Sequence, residues 1–393
     1  MGLPDLPSVK VSPRGAERVR AGHPWVGRAD VLEAAAGAGD VVRVLDRRGA
    51  LLGTAMASPA SPIALRMLGR EELALDAALL DARIADAVAR RAPWVRSEGW
   101  DAFRVVHGEA DLLPGLFVDL YADVAVLQTA CAAMDAREAL VAEILATRLG
   151  VRLVVARDDG GARDFESLER RKSVLRGGGP TRVDFHDAGS SVAADVLVDG
   201  KTGSFLDQQE NHARAATYVR PGDEALDAFA YHGGFALALA RAGARTTALD
   251  ENAAAVERIR DNAARNGVTL DATCDNAFDA LRRHESEGRR FDLVVIDPPA
   301  LAKRKSALGA AERAYKELNL RGLRLLRPGG ILVTCSCSGK LTPEGFGAVV
   351  REAAADVGRP LQLLERRGAG RDHPPLVGVP ETEYLKVWVL RAL

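Results

Sequence analysis

The sequence predicts an α/β protein of more than one domain, ending in a mostly parallel sheet covered by helices on both faces. Three observations carry that expectation. The chain has 393 residues, beyond the usual size of one domain. From residue 224 onward apolar, strand-like runs alternate strictly with helical segments, as in a doubly wound parallel sheet. Residues 1–70 instead alternate short apolar runs with turn residues, so a small all-β unit comes first.

In chain order, the first unit (1–70) contains "VKVS", "GDVVRVLDRRGALLGTAMAS" and "SPIALRML", and "DRRG" between two apolar runs is a hairpin turn. From 71 to about 92, "EELALDAALLDARIADAVARRA" spaces apolar residues three and four apart, which predicts an amphipathic connecting helix. Two or three strands follow in "FRVVHGEADLLPGLFVDLYADVAVLQTA", then a helix over 134–148 and a strand "VRLVVAR". The charged, glycine-rich stretch 157–180 contains "ERRKSVLRGGGP" and predicts an exposed turn. Residues 71–190 thus make a central α+β domain, and 191–393 the third domain. Its later strands are "FDLVVID" and "GILVTCS".

Composition narrows the function. A net charge of −1 argues against a globally basic nucleic-acid binder, although residues 1–70 carry ten Lys/Arg against six Asp/Glu and local basic patches remain available. Four cysteines, at 131, 274, 335 and 337, are too sparse for a disulfide framework. Cys-x-Cys without a companion Cys or His pair is a poor zinc signature, so no metal is expected. The N-terminus lacks an apolar signal core, Leu6 stands where a myristoylation signal on Gly2 needs Ser or Thr, and no apolar run reaches about 18 residues. A cytoplasmic chain without membrane contact is expected.

In an open parallel sheet, ligands bind beyond the carboxyl ends of the strands, so the residues ending each apolar run are informative. Here they are repeatedly acidic. After Asp227, in "LDAFAYHGGFALALA", Gly233 and Gly234 turn into a helix without the spacing of the dinucleotide or phosphate-loop fingerprints. "ARTTALD" ends at Asp250, twenty-three residues after Asp227, the distance at which an acid commonly takes a ribose hydroxyl pair. Asp275 follows a short apolar segment. "FDLVVIDPPA" ends in Asp297-Pro298-Pro299, whose prolines fix the backbone and aim the Asp side chain into the crevice. Singly, each acid reads as a helix cap or a solvated turn residue. Together they form the pattern of a nucleoside cofactor held by its ribose and adenine amine, and the Asp-Pro-Pro suits methyl transfer to a planar nitrogenous group. In the last strand, "ILVTCSCSG", alternation puts Cys335 and Cys337 on one face. Either sulfur is then a nucleophile or packing; Cys337 lies nearer the carboxyl end and the crevice.

With these residues in view, the chain resembles the class I S-adenosylmethionine-dependent methyltransferases, and more narrowly the bacterial large-subunit ribosomal RNA cytosine-5 methyltransferase family. The resemblance runs almost end to end, through "GHPWV", "SPAS", "GEADLLPGLFVDLY", "KTGSFLDQQEN", "FAYHGGFALALA", "DPP", "YKELN", "RPGGILVTCSCSG", and "DHP" followed by "YLK". It implies an RNA-binding PUA β barrel, a central domain and a Rossmann-like methyltransferase domain. It also implies S-adenosylmethionine as cofactor and large-subunit ribosomal RNA as substrate; a homodimer is among the assemblies it allows. By the same resemblance, Asp250 binds the cofactor's ribose, Asp275 its adenine amine, and Gly233-Gly234 pass beside the methionine part. Asp227, Tyr231, Glu251, Asn276 and Asp297 complete the sheet-end set. "KTGSFLDQQEN" would lie over the cofactor with Phe205, Asp207 and Gln208, Lys201 being nearby. Gln209 stands where many members have Arg, and Ala300 where many have Lys, a role that would then fall to Lys303 or Lys305.

The chemistry explains what else is needed. Carbon 5 of cytosine is a weak nucleophile, and adding a cysteine thiolate to carbon 6 turns it into an enamine-like centre. The sulfur needs a strand-end position that lowers its pKa, and an acid must meet the ring nitrogen where charge accumulates. The family's Ser-Cys-Ser motif falls on Ser336-Cys337-Ser338, which assigns the nucleophile to Cys337, and Asp297 is the candidate for the cytosine edge. His23 and Trp25 of "GHPWV" belong either to an RNA face or to the barrel core, and the basic segments at 169–176 and 303–306 either contact phosphate or form a solvated face. Two other functions compete: amino-methylation of guanine or adenine, against which Ala300 and Cys337 speak, and a non-catalytic RNA-binding assembly factor, which the acidic set disfavours. A nicotinamide dehydrogenase would want a glycine fingerprint that "YHGGFA" does not supply.

Overall fold

The computed structural model describes residues 6–34, 36–302 and 304–393; Gly2 and Lys303 lie outside the described residues. The chain divides into two compact units. One comprises Met1–Phe185, Ala194–Ser204 and Asp372–Pro380, the other His186–Ala193, Phe205–Arg371 and Glu381–Leu393.

The first unit opens with a six-stranded sheet within residues 8–69. Its "DRRG" turn forms as expected: Asp46 Oδ1 accepts from the N–H groups of Arg48 (2.9 Å) and Ala50 (3.0 Å), and Gly49 takes φ +85°. The connecting helix runs over Ala77–Glu98, starting six residues later than expected because Asp76 caps it, accepting from Leu79 N–H at 2.9 Å. A five-stranded sheet follows, and the helix expected over 134–148 forms as a short helical turn at Ala132–Asp135 and a longer helix at Glu138–Leu149. Its edge strand, Arg171–Gly177, corrects the expectation of a turn over "ERRKSVLR": these residues pair antiparallel with Leu153–Asp158. Charges along that edge are matched internally, Arg171 by Asp135 and Glu138, Lys172 by Asp159 and Arg176 by Glu143. They form a solvated, ion-paired face, and such edge charges discourage strand-to-strand aggregation. Trp25 is half-buried, with Nε1 donating to Glu109 Oε1 at 2.8 Å, so its indole edge is committed inside the unit.

The second unit is built on seven strands: β1 (Glu224–Asp227), β2 (Arg245–Asp250), β3 (Asp271–Cys274), β4 (Phe291–Ile296), β5 (Leu326–Ser336), β6 (Leu361–Arg367) and β7 (Lys386–Ala392). Their order is β3-β2-β1-β4-β5-β7-β6; the first five are parallel and β7 is antiparallel to both neighbours. The intervening helices are α1 (Gln209–Ala216), α2 (Gly234–Arg241), α3 (Ala253–Arg265), α4 (Ala277–Ser286), α5 (Leu308–Leu325) and α6 (Pro343–Val357). Alternation along each strand sends successive side chains to opposite faces. Val294, Ile296 and Leu332 pack with Tyr315, Leu318 and Phe346 on one side, whereas Leu293, Val295, Val333 and Cys335 pack with Phe235 and Leu239 on the other. Both faces are therefore covered, which is why β4 reads as a nearly continuous apolar run. The strand order reverses between β1 and β4, and a crevice is expected beyond their carboxyl ends.

Candidate active site

Four acids stand at that rim in adjacent positions: Asp275 just after β3, Asp250 ending β2, Asp227 ending β1 and Asp297 just after β4. Each stands at the carboxyl end of a parallel strand, so the sheet fixes where its carboxylate begins.

Asp250 builds the loop that follows β1. Its Oδ2 accepts from Tyr231 N–H at 2.8 Å and its Oδ1 from Asn252 N–H at 2.9 Å, leaving lone pairs on both oxygens for a further donor. Tyr231 is held at φ +48°, an uncommon conformation for a side-chain-bearing residue. It stacks on His232 with ring centroids 3.7 Å apart and meets Phe205 edge-on at 4.9 Å. Asn262, fully buried, donates to His232 O at 3.0 Å and accepts from Ala193 N–H at 3.1 Å, tying down the same loop. Gly233 has φ +91°, and Gly234 has a different reason to be glycine: a Cβ there would lie 2.2 Å from His212 Cε1. The close approach at 234 is made by an imidazole of the protein itself.

At the switch point, the buried Asp227 accepts from Ala236 N–H at 3.0 Å through Oδ2, while its Oδ1 meets no well-formed hydrogen-bond partner among the described residues. Burial, reinforced by the negative charge of Asp297, pushes its pKa up to about 7. Across the cluster, His212 Nδ1 sits 2.8 Å from Asp187 Oδ1. Burial opposes its charge, but Asp187, with help from Asp297 and Asp227, raises its pKa overall. A neighbouring imidazole, His232, is driven down to about 3 by burial and by Arg258, and stays neutral. Because the folded pKa of Asp227 lies above its unfolded value of 3.8, its contribution to stability is complete below about pH 4 and is lost as pH rises through about 7. Asp227→Asn is therefore expected to gain stability relative to wild type between those limits, by at most about 1.4 kcal/mol per pH unit. Melting temperatures across pH check this, and parallel profiles would contradict it.

Asp297 Oδ2 accepts from Gln208 Nε2 at 2.9 Å, and Gln208 Oε1 accepts from Asn211 Nδ2 at 2.7 Å. The amide relay orients the carboxylate that follows β4. One residue beyond, Pro298 O lies 3.9 Å from Cys337 Sγ, so the sulfur and the Asp-Pro-Pro turn meet at one corner. Cys337 follows β5, partly buried, while Cys335 is fully buried two residues earlier in the same apolar cluster. The Cys335 thiol is pushed well above 9, first by burial and then by Asp297, and is inert by position.

The flanking serines explain the Ser-Cys-Ser pattern physically. Ser338 Oγ accepts from Ala302 N–H at 3.1 Å and lies 3.0 Å from Tyr315 Oη, and Ser336 Oγ accepts from Ser338 N–H at 3.4 Å. Both serines are fully buried. They pin the backbone on either side of the sulfur, and "YKELN" contributes Tyr315 to that clamp.

The remaining expected residues are placed as follows. Asp207 Oδ2 accepts from Tyr384 Oη at 2.7 Å. Arg283 donates to Asp275 Oδ2 at 2.5 Å. Asn276 caps α4 and its Nδ2 lies 3.5 Å from Glu251 Oε2. Gln209 is buried, its Nε2 donating to His186 O at 3.3 Å. Lys201 belongs to the first unit and Phe205–Asn211 to the second, so the "KTGSFLDQQEN" segment is divided between them. Sequence reasoning missed His212, Asp187, Asn262 and Lys386. The "QEN" and "YLK" motifs border His212 and contain Lys386, and no periodicity marks the other two. Among the described residues no cluster of His, Cys, Asp and Glu is arranged to hold a metal, and no helix is long and apolar enough to cross a membrane.

Comparison with known proteins follows the same outline. Residues 171–379 match the S-adenosylmethionine-dependent methyltransferase family and residues 9–70 the PUA-like domain family. Two solved structures share the fold over 98% of this chain and 100% of theirs. One, a protein assigned as a methyltransferase and complexed with S-adenosylhomocysteine, has a TM-score of 0.86 at 18% identity; the other, assigned as a SAM-dependent methyltransferase from Streptococcus mutans, has 0.85 at 17%. The chain is thus an S-adenosylmethionine-dependent methyltransferase with an N-terminal PUA-like domain. Ribosomal RNA large subunit methyltransferase I of Shewanella denitrificans is 37% identical over 98% of both chains, and that of Klebsiella pneumoniae 32% identical over 94% of both. The chain belongs to the ribosomal RNA large subunit methyltransferase I family.

Proposed function

We propose that this enzyme methylates carbon 5 of a cytosine in large-subunit ribosomal RNA in the cytoplasm, through a covalent adduct of Cys337. Residues 1–70 and 71–190 would serve as RNA-binding and central domains, and 191–393 as the catalytic domain. The observation that carries the reading is the corner where Cys337 Sγ lies 3.9 Å from the carbonyl of Pro298, beside Asp297. A nucleophilic sulfur next to a carboxylate is what addition to a pyrimidine needs. An amino-methyltransferase needs no cysteine there.

In this reading the cofactor S-adenosylmethionine supplies an electrophilic methyl group at the carboxyl ends of β1 to β4. Asp250 holds the ribose hydroxyls, Asp275 and Asn276 the adenine side, and Glu251 flanks them. Asp227, Tyr231, Gly233 and Gly234 shape the methionine end, with Phe205, Asp207 and Gln208 above. Asp297 meets the cytosine edge and supports the proton that ring nitrogen 3 borrows during addition and returns on elimination. The proximity of Asp297 to the raised-pKa Asp227 suits that exchange.

Asp250→Ala is expected to weaken S-adenosylhomocysteine binding by roughly 10- to 100-fold, the loss of charge-assisted hydrogen bonds worth about 1.5–3 kcal/mol, as measured by calorimetry. The reading as a whole is tested by incubating the enzyme with labelled S-adenosylmethionine and unmodified large-subunit ribosomal RNA, then digesting to nucleosides. 5-Methylcytidine is expected. A labelled methylguanosine or methyladenosine would replace this reading with the amino-methyltransferase.

A further inference from the structure

The sulfur of Cys337 has a cation beside it that neither the motif nor the family assignment explains. Lys386, the first residue of β7, pairs in register with Ser336 and is 4% exposed. Its Nζ donates to Ser338 O and to Tyr384 O, both at 2.8 Å. Ser338 is the residue after Cys337, so these bonds fix the ammonium next to the sulfur, and the two groups interact electrostatically.

The pairing of this cation is unusual. The other buried cationic side chains of the described residues each meet a carboxylate: Arg66 with Glu166, Arg91 with Asp111, Arg157 with Asp159 and Arg163 with Asp135. For Lys386, among the described residues, only carbonyl acceptors lie within bonding distance. Burying an ammonium without a counter-ion is costly, and burial accordingly drives its pKa down to about 8, against the opposing pull of Cys337 and Glu383. A thiolate at Cys337 would supply that anion.

We propose that Lys386 is the positioning cation that holds Cys337 as a thiolate, a role that rests on reading Cys337 as the nucleophile. Sγ gives its proton to water, and its lone pair forms the Sγ–C6 bond as the C5–C6 π pair becomes the nucleophilic pair at carbon 5. That pair takes the methyl group while the methyl–sulfonium bond breaks, leaving S-adenosylhomocysteine. Loss of the carbon-5 proton restores the C5–C6 double bond and expels Sγ as a thiolate, again facing Lys386. The ammonium keeps its protons throughout. The other ionisable groups at this corner do not favour the thiolate: burial keeps Cys335 and Tyr315 neutral, and Asp297 and Glu383 are acids. Among the described residues, Lys386 is a cation placed to offset them and coupled electrostatically to Cys337, in keeping with cysteines made reactive by a neighbouring Lys.

The test is the pH dependence of iodoacetamide alkylation at Cys337, resolved by peptide mass spectrometry on the full-length enzyme. Wild type is expected to titrate below the free-cysteine value of about 8.5. Lys386→Met is expected to raise that midpoint by about one unit or more, slowing alkylation at neutral pH roughly tenfold, and Lys386→Arg to restore most of it. Lys386→Gln, which keeps a donor for the carbonyls, separates charge from folding and is expected to behave like Lys386→Met. An unchanged midpoint in folded Lys386→Met or Lys386→Gln overturns the proposal, whatever the methylation assay gives. Methyl transfer surviving in Cys337→Ala overturns the nucleophile reading instead, and is recorded separately.

Discussion

Cys337→Ala is expected to lower the methyl-transfer rate by roughly 10⁴-fold or more, while S-adenosylhomocysteine affinity stays within about twofold of wild type. The size of the loss follows from the chemistry: without a thiolate at carbon 6, carbon 5 has no electron pair to offer the methyl group. The preserved affinity follows from position, because Cys337 lies after β5 beside the Asp-Pro-Pro turn and the acids at β1 to β3 are built independently of it. Cys335→Ala is the matched control. Its sulfur is fully buried and its thiol is held well above 9, so the change creates a small cavity worth about 1 kcal/mol and leaves transfer intact. Single-turnover rates for the two variants check the pair; equal losses would contradict it.

Asp297→Ala is expected to cost about 10²- to 10³-fold in kcat/KM for RNA, the usual scale for removing one group that stabilises charge in the transition state. Gln208→Ala should cost less, because on the proposed reading Gln208 would reach the base only through Asp297, donating to its Oδ2 at 2.9 Å. Asp297→Asn keeps the shape and much of the hydrogen bonding but cannot carry a negative charge. If Asp297 manages the proton on the ring nitrogen, Asn should be nearly as damaging as Ala and should flatten the pH dependence of the rate. A fully active Asp297→Asn would reduce the residue to a structural support.

Much of the second unit was legible because its signals are local. A parallel sheet buried on both faces writes each strand as an apolar run, and β2 ends at Asp250 and β4 just before Asp297, where the acids interrupt those runs. The helix expected at 71 began at 77 because a single capping side chain, Asp76, decides the start, and periodicity is indifferent to caps. The strand at Arg171–Gly177 looks like a turn in sequence because an edge strand exposed to water carries charges and glycines just as a loop does. Its hydrogen-bonding partner lies about twenty residues away and leaves no mark on its own composition.

The same logic divides the site. The acids announce themselves at strand ends, but the partners that tune them come from afar: Asp187 reaches His212, Asn262 ties down His232, and Lys386 meets the turn after Cys337. None of these pairings follows from spacing. The choice between Cys335 and Cys337 also lay beyond periodicity, since both point to one face and both belong to the same apolar cluster. What separates them is depth, and depth at a strand end is a property of the folded sheet.

The central claim, a covalent Cys337 adduct on cytosine, is tested most directly with large-subunit ribosomal RNA in which cytidine is replaced by 5-fluorocytidine. Fluorine leaves carbon 5 without a proton to lose, so elimination stops after methyl transfer. In the presence of S-adenosylmethionine, the account predicts an RNA–protein adduct that survives denaturation and maps to Cys337, formed by wild type and Cys335→Ala but not by Cys337→Ala. Release of methylated unsubstituted RNA by the same preparation, with no adduct on the fluorinated RNA or with the adduct at another residue, would contradict it.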